Sequence, residues 1–156
     1  MRKLTFFIDQ AAKGLAPPDW WQNNRYNIQR LFYIKGGKGY IVDENGRHTQ
    51  FIPGKIYVFP SNIYHNFMTG HEDCIDHIYF DFYSTPPIVS MSPLIYDVPP
   101  GSALESIVET LDRLLPDRLP GGARHDQIWS HNEIPRDFTR IANAPHKSNE
   151  EFKQII

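Results

Sequence analysis

Two stretches of this chain carry side chains suited to metal binding or to acid–base chemistry. The first is GKIYVFPSNIYHNF, where Gly54, Pro60 and His65 follow one another with the spacing G-x5-P-x4-H. The second is CIDHIYFDFY, where His77 and Asp81 fall on the same face if the segment is a strand, because side chains alternate between faces. A histidine can ligate a metal ion, and a histidine beside a carboxylate can transfer protons. Either chemistry needs further groups at suitable positions.

Those further groups are missing at the expected spacings. The motif around His65 resembles the second motif of the cupins, small β-barrels whose metal enzymes add two histidines and a glutamate from an earlier motif. Counting back along the chain places Arg47 where the glutamate would stand and residues 40–43, YIVD, where the histidines would stand. An arginine repels a cation, and one histidine cannot hold a catalytic metal. No nucleophile or second carboxylate has a readable spacing from His77 and Asp81, so the sequence predicts no catalytic residues, no metal and no cofactor.

Composition predicts a globular protein that does not itself bind nucleic acid. Hydrophobic residues make up 40% of the 156 residues, and 10 Phe, 8 Tyr and 3 Trp can fill a core. With a formal charge of −2, the chain lacks the basic surface that contacts with nucleic-acid phosphates need. The lone Cys74 is typical of a reducing compartment. Asp9 interrupts the first apolar run, which makes it a poor signal peptide, and no apolar run approaches the ~20 residues of a membrane span. We expect a soluble, cytoplasmic protein without membrane contact.

Up to about residue 100, short β-type runs alternate with turn residues, the pattern of a sandwich or small barrel. The turns are GGKG after the second run, Asn45-Gly46, where both residues tolerate positive φ, and Pro53-Gly54. Strands are predicted at residues 4–8, 30–35, 40–44, 48–52, 56–59, 74–83 and 94–98.

After residue 100 the apolar period changes to that of a helix. SALESIVETLDRLL carries one apolar stripe, Ser102 and Glu105 form a capping box, and Pro116 ends the element. A second capping box precedes FKQII at the end of the chain, where so short a helix is marginal unless it continues. We therefore predict a barrel at 1–100 and a helical extension at 101–156 that is cut within a longer helix, and we assign no conformation to 117–147.

The ordered set of motifs resembles the N-terminal regulatory domain of AraC-type transcription regulators. The resemblance covers about residues 25–83, and the helix at 103–115 stands where that family has its first helix. It implies a mainly β cupin or jelly-roll barrel followed by C-terminal α-helices that form a homodimer in the full-length protein. It also implies a small-molecule effector, often a saccharide, and DNA binding through a further domain beyond residue 156. The matching residues are Gly37, Gly39, Pro53, Gly54, Phe59, Pro60, His65 and Phe82.

Strand alternation and the resemblance together give candidate ligand-binding residues. In DHIYFDFY, one face carries the apolar Ile78, Phe80 and Phe82, and the other mixes rings with hydrogen-bonding groups, which suits a sugar site. Both faces are too aromatic to lie in open solvent. The resemblance implies ligand contacts by His77, Tyr79 and Phe67, and by Arg25 if a small gap in the alignment is allowed. It also implies an N-terminal segment that covers the pocket, here the one with Trp20 and Trp21. The candidate set is His65, Phe67, His77, Tyr79, Asp81, Arg25, Trp20 and Trp21.

Other interpretations remain open at this stage. His65 is also explained as a structural histidine, His77 as part of a surface charge cluster with Asp76 and Asp81, and Trp20-Trp21 as a plug across the barrel mouth. The whole chain is also compatible with a stand-alone cupin enzyme that acts on a sugar or small metabolite through an atypical metal site. A dimerisation module with a filled barrel is the third possibility, and it predicts no ligand-sized cavity.

Overall fold

A computed structural model describes residues 3–23, 28–61 and 63–117, and the structural statements below concern these residues. The fold is mainly β, which confirms the predicted cupin-like class, and one helix follows the strands. The strands pair in two antiparallel sheets, ordered β1-β8-β3-β6-β9 and β2-β7-β4-β5. The elements are β1 (Thr5–Ala16), β2 (Trp21–Asn23), β3 (Gln29–Gly37), β4 (Tyr40–Val42), β5 (His48–Gln50), β6 (Lys55–Phe59), β7 (Asn66–Met68), β8 (Ile75–Thr85), β9 (Leu94–Asp97) and α1 (Ala103–Leu114).

β8 organises the larger sheet because it pairs with β1 on one side and with β3 on the other. On the face turned towards the smaller sheet, small residues of β1 stand opposite large residues of β8. Ala12 pairs with Tyr79, and Ala16 pairs with Ile75. The alternation of small and large side chains leaves room for the rings between the sheets. The register shifts between Ile8 and Gln10, where an extra residue forms a bulge.

Three strands differ from the predicted ones, each for a physical reason. β1 extends to Ala16 and not only to residue 8, because pairing with β8 holds AAKGLA extended despite its weak β-propensity. β2 and β7 were not predicted, since three residues are too few for a periodic signal. They pair with each other and form part of the smaller sheet.

The chain turns back at Asn45-Gly46 as the sequence predicts, since β4 pairs with β5 on either side of it. Only Gly46 of the two has positive φ, at 76°. The side chain of Asp43 accepts hydrogen bonds from the backbone N–H groups of Asn45 and Arg47, both at 2.9 Å, and the backbone N–H of Asp43 donates to the Arg47 carbonyl at 3.1 Å. An Asp-capped loop of this kind turns the chain without a left-handed Asn.

Helix α1 begins and ends where the sequence predicts. Ser102 is the N-cap, and its hydroxyl accepts a 3.1 Å hydrogen bond from the backbone N–H of Glu105. The Glu105 carboxylate accepts from the backbone N–H of Gly101, at 2.5 Å, and not from that of Ser102 as a standard capping box would. The second predicted helix, with Ser148 and Glu151, lies outside the described residues. No helix among those the structure describes is long and apolar enough to cross a membrane.

The end of α1 is attached to the outer face of the larger sheet. Lys13 on β1 donates through its ammonium to the backbone carbonyl of Asp112 and through its backbone N–H to the carbonyl of Pro116. Lys35 on β3 forms ion pairs of 2.9 Å with Asp112 and 3.1 Å with Asp76. Further along the same outer face, a second apolar cluster covers β8, so this strand is buried on both sides as predicted.

Candidate functional site

A row of aromatic rings fills the space between the two sheets. We call it the interior row: Trp20, His77, Phe32, Phe67, Phe59 and His65, each in contact with the next. The successive centroid distances are 5.6, 5.4, 4.9, 4.7 and 5.4 Å, in that order. The three central contacts are edge to face, and rings that meet in this way at such distances attract each other beyond the burial of their area. The row is therefore a packed and specific arrangement of side chains.

The interior row brings together several of the residues predicted as ligand contacts. Trp20, His77, Phe67 and His65 belong to it, and the ring of Tyr79 lies 5.9 Å from that of His77. Trp21 points away from the core and is 55% exposed, although its neighbour Trp20 is only 8% exposed. Arg25 lies outside the described residues. That these side chains bind a ligand stays a prediction.

Alternation along β8 positions three of the predicted residues. His77, Tyr79 and Asp81 all point between the sheets and are 2%, 5% and 1% exposed. Asp76 points to the outer face, where it pairs with Lys35. The predicted faces of this strand are confirmed, and the alternative of a surface charge cluster around His77 is wrong.

An ion pair that sequence reasoning missed lies beside the rings. The guanidinium of Arg30 on β3 donates to both carboxylate oxygens of Asp81, at 2.5 and 2.6 Å. Arg30 is 2% exposed, and its guanidinium carbon lies 6.0 Å from the ring centroids of Phe32 and Phe67. A two-point contact of this kind is a strong, directional, charge-assisted interaction, and a cation over ring faces adds to it. Asp81, predicted as a ligand contact, is thus the anchor of Arg30.

The signal for Arg30 was present but ambiguous. Arg30, Phe32 and Ile34 alternate on one face of β3, which is the face turned inward. The other face carries Leu31 and Tyr33, which are as apolar, so the pattern alone did not say which face is buried.

His65, at the other end of the row from Trp20, is half-buried against Phe59. Its Nδ1 atom is buried and has no hydrogen-bond partner among the described residues. Burial lowers the pKa of the imidazole, and the weaker attraction of Asp43 and Glu44 opposes this shift. His65 is therefore mainly neutral near pH 7.

Tyr83 adds a neutral phenol near Asp81. Burial raises the pKa of its hydroxyl, and the negative charges of Asp9 and Asp81 raise it further. Asp9 is the extra residue of the β1 bulge. Bulges often re-aim side chains at functional sites, and this one places a carboxylate near Tyr83.

The end of the barrel near Trp20 is closely packed. The gap there leaves no room for a water molecule. It is bounded by Trp20, Phe32, Ile34, Phe51, Ile75 and His77. Across the described residues, no three His, Cys, Asp or Glu side chains are grouped so that they could hold a metal ion.

Comparisons with known proteins point to the fold. No protein-family model matches the chain, and no curated protein matches it significantly. Among solved structures, YhaK from Escherichia coli is 13% identical over 62% of this chain and 44% of its own, with a TM-score of 0.50. ToxT from Vibrio cholerae O395 is 12% identical over 95% and 55%, with a TM-score of 0.46. The polyketide cyclase RemF from Streptomyces resistomycificus is 16% identical over 66% and 70%, with a TM-score of 0.40.

Two of these three matches cover less than two thirds of the other protein. This chain spans 44% of the length of YhaK and 55% of that of ToxT. Of the three, only YhaK reaches a TM-score of 0.50, and at 13% identity that likeness shows the fold alone.

Proposed function

We propose that this chain is the effector-sensing domain of an AraC-type transcription regulator and that it catalyses no reaction. The motif set around Gly37, Gly54 and His65 motivates the family, and the cupin-like fold agrees with it. The observation that carries the proposal is the interior row, whose rings lie against the buried pair of Arg30 and Asp81.

A buried ion pair contributes little to stability as such. Removing two charges from water has a large desolvation penalty, and apolar residues of similar volume often give an equally stable or more stable core. Arg30 and Asp81 are 2% and 1% exposed, so both are desolvated in full. Retaining such a pair within an aromatic interior is consistent with a recognition role, in which fixed hydrogen-bonding groups select a polar ligand.

The effector class proposed first is a saccharide, as the resemblance implies. Sugar rings stack their C–H faces on aromatic rings, while hydroxyl groups need donors and acceptors that are held in place. Tyr79 and His77 combine a ring with a polar atom, and Nδ1 of His77 is already oriented by donating to the Ile75 carbonyl at 3.3 Å. Arg30 and Asp81 supply the charged partners at the next positions along β3 and β8.

The rest of the proposal concerns the full-length regulator. DNA binding belongs to a further domain, and the regulator acts as a homodimer formed through helices that follow the barrel. A regulator of this kind works beside the chromosome, which places it in the cytoplasm.

A thermal-shift panel of monosaccharides, disaccharides, uronic acids and polyols tests the effector. A ligand at ~100 times its Kd stabilises a protein by about 2.7 kcal/mol. Each kcal/mol raises Tm by about 2–4 °C for a domain of this size. A rise of several degrees with one class of compound is expected. No rise with any compound would contradict a saccharide effector.

A further inference from the structure

Trp20 differs from the other side chains that bound the packed gap at its end of the barrel. Phe32 and Ile34 belong to β3, and Ile75 and His77 belong to β8, two strands paired on both sides within the larger sheet. Phe51 is held between the sheets, 2% exposed, with its ring 5.7 Å from Phe32 and 5.0 Å from Tyr57. Trp20 instead comes from the connection that precedes β2, the edge strand of the smaller sheet. Trp20 and Phe51 are thus the two of these side chains that lie outside the central strands, and Trp20, at 8%, is the more exposed of them.

A small set of hydrogen bonds holds Trp20 in place. The hydroxyl of Thr69 accepts from the backbone N–H of Trp20 at 2.9 Å and donates to the carbonyl of Pro17 at 2.7 Å. The backbone N–H of Thr69 donates to the carbonyl of Trp20 at 3.0 Å. We call these three bonds the Thr69 clasp. The Trp20 N–H also donates to the Pro17 carbonyl at 3.2 Å, so the Thr69 hydroxyl is one of several groups that hold the segment carrying the indole.

The residue before Trp20 has an unfavourable backbone conformation. Asp19 has a φ of 59°, in the left-handed region that residues other than Gly seldom adopt. Such conformations persist only where the surroundings hold them, and they are common at ligand clamps and switches. Here the surroundings include the bond from the Asp19 N–H to the Gly70 carbonyl at 3.1 Å and the exposed pair of Asp19 with His71 at 2.8 Å. Release of the segment relieves this strain.

We propose that Trp20 is an internal plug and that a flat aromatic ring of the effector takes the place of its indole. This inference rests on the proposed function and names the chemistry of one part of the effector. The gap beside the indole of Trp20 is bounded by Phe32, Ile34, Phe51 and Ile75, with one imidazole, that of His77, so the space that Trp20 vacates adjoins mainly apolar side chains. A bare sugar ring would bury several hydroxyl groups there against few polar partners, which is unfavourable. An aromatic ring reproduces the contacts that Trp20 makes, while a polar part of the same molecule reaches Arg30 and Asp81, as in an aryl glycoside.

The test uses indole as the probe and 5-fluorotryptophan-labelled protein as the reporter. Three ¹⁹F signals are expected, and the variants Trp20→Phe, Trp21→Phe and Trp129→Phe assign them. Indole is expected to raise Tm and to move the Trp20 signal from a buried to a solvent-exposed position, while the Trp21 signal, from a side chain that is already 55% exposed, stays unchanged. Saturation with indole that leaves the Trp20 signal unchanged, or no binding of indole, would overturn the proposal.

The Thr69 clasp supplies a second, independent measurement. Thr69→Val removes the hydroxyl and favours the open segment, whereas Thr69→Ser keeps the hydroxyl and is the matched control. Apparent affinity rises with the fraction of molecules that are open, so Thr69→Val is expected to bind indole about tenfold more tightly than Thr69→Ser. Equal affinity in the two variants would overturn the plug.

The same measurements separate this inference from the proposed function. Phenyl β-D-glucopyranoside and methyl β-D-glucopyranoside form a matched pair that differs in the aromatic ring. If the phenyl compound displaces Trp20 and the methyl compound does not, the inference is supported. A saccharide that binds in the barrel without moving the Trp20 signal would leave the sensor function standing and overturn the plug. If neither indole nor any saccharide binds, both proposals fail.

Discussion

Arg30 and Asp81 join the two central strands β3 and β8 through a two-point ion pair, 2.5 and 2.6 Å long, inside an aromatic core. The two residues are also direct neighbours in the β3–β8 register. Backbone pairing and side-chain pairing therefore coincide at one position. Arg30 and Asp81 are 2% and 1% exposed, and we propose that a polar group of the effector binds at this position.

Removing one charge of this pair should destabilise the protein strongly. Asp81→Asn leaves the Arg30 guanidinium buried without its counter-charge, a change that typically lowers the free energy of unfolding by about 3–5 kcal/mol. The double variant Arg30→Met with Asp81→Leu should recover most of this loss, since it removes both desolvated charges. Urea unfolding measures both effects. Asp97→Asn, which breaks the exposed pair with Lys55, is the control and should leave stability nearly unchanged. A loss for Asp81→Asn no larger than that of the control would contradict the role of the buried pair.

Substitutions at Gly37 and Gly46 separate two effects on stability. One is the strain of a left-handed backbone, and the other is a steric clash where two segments approach closely. Both have positive φ, at 84° and 76°. A Cβ at Gly37 would lie 2.2 Å from the carbonyl oxygen of Cys74, whereas a Cβ at Gly46 would meet open space. Gly46→Ala should therefore destabilise by only the ~1–2 kcal/mol of left-handed strain. Gly37→Ala should cost about 2 kcal/mol more, because backbone must shift. Equal losses in urea unfolding would show that the strands do not approach each other this closely.

His65 should make the protein less stable in mild acid. Its folded-state pKa lies below the unfolded value of about 6.5, so the unfolded state binds the proton first as pH falls. The contribution of neutral His65 to the free energy of unfolding is fully present above about pH 6.5. It decreases as pH falls from there towards the folded-state pKa, by at most about 1.4 kcal/mol per pH unit. Between pH 7.5 and 5.5, wild-type protein should lose more stability than His65→Gln. Parallel curves for wild type and His65→Gln would contradict a buried, neutral His65.

Sequence reasoning reached the fold class and one wall of the candidate site for identifiable reasons. The faces of β8 follow from alternation, because Ile78, Phe80 and Phe82 form an apolar run on one face while rings and polar groups mix on the other. The start of α1 follows from Ser102 and Glu105, whose side chains act on neighbouring backbone groups. Both signals are local in the chain.

The parts that could not be predicted depend on pairing between distant segments. The small residues in the second half of β1 become a strand only because β8 lies beside them. Trp20 and Trp21 have the same residue type, yet one is buried and the other exposed, because pairing of β2 with β7 fixes which side faces the core. Arg30 was overlooked because both faces of β3 are apolar, and only its partner Asp81, 51 residues away, reveals its role.

The most direct test of the sensor account is a calorimetric titration of the compound that gives the largest thermal shift. It should be titrated into the wild-type protein, Arg30→Lys and the control Lys55→Met. A lysine keeps the charge of Arg30 but cannot reproduce its planar two-point contact, so Arg30→Lys should bind at least about tenfold more weakly. Lys55→Met, which changes only an exposed pair, should bind as the wild type does. Equal affinities in all three proteins, or the absence of any compound that binds, would contradict a small-molecule site between the sheets.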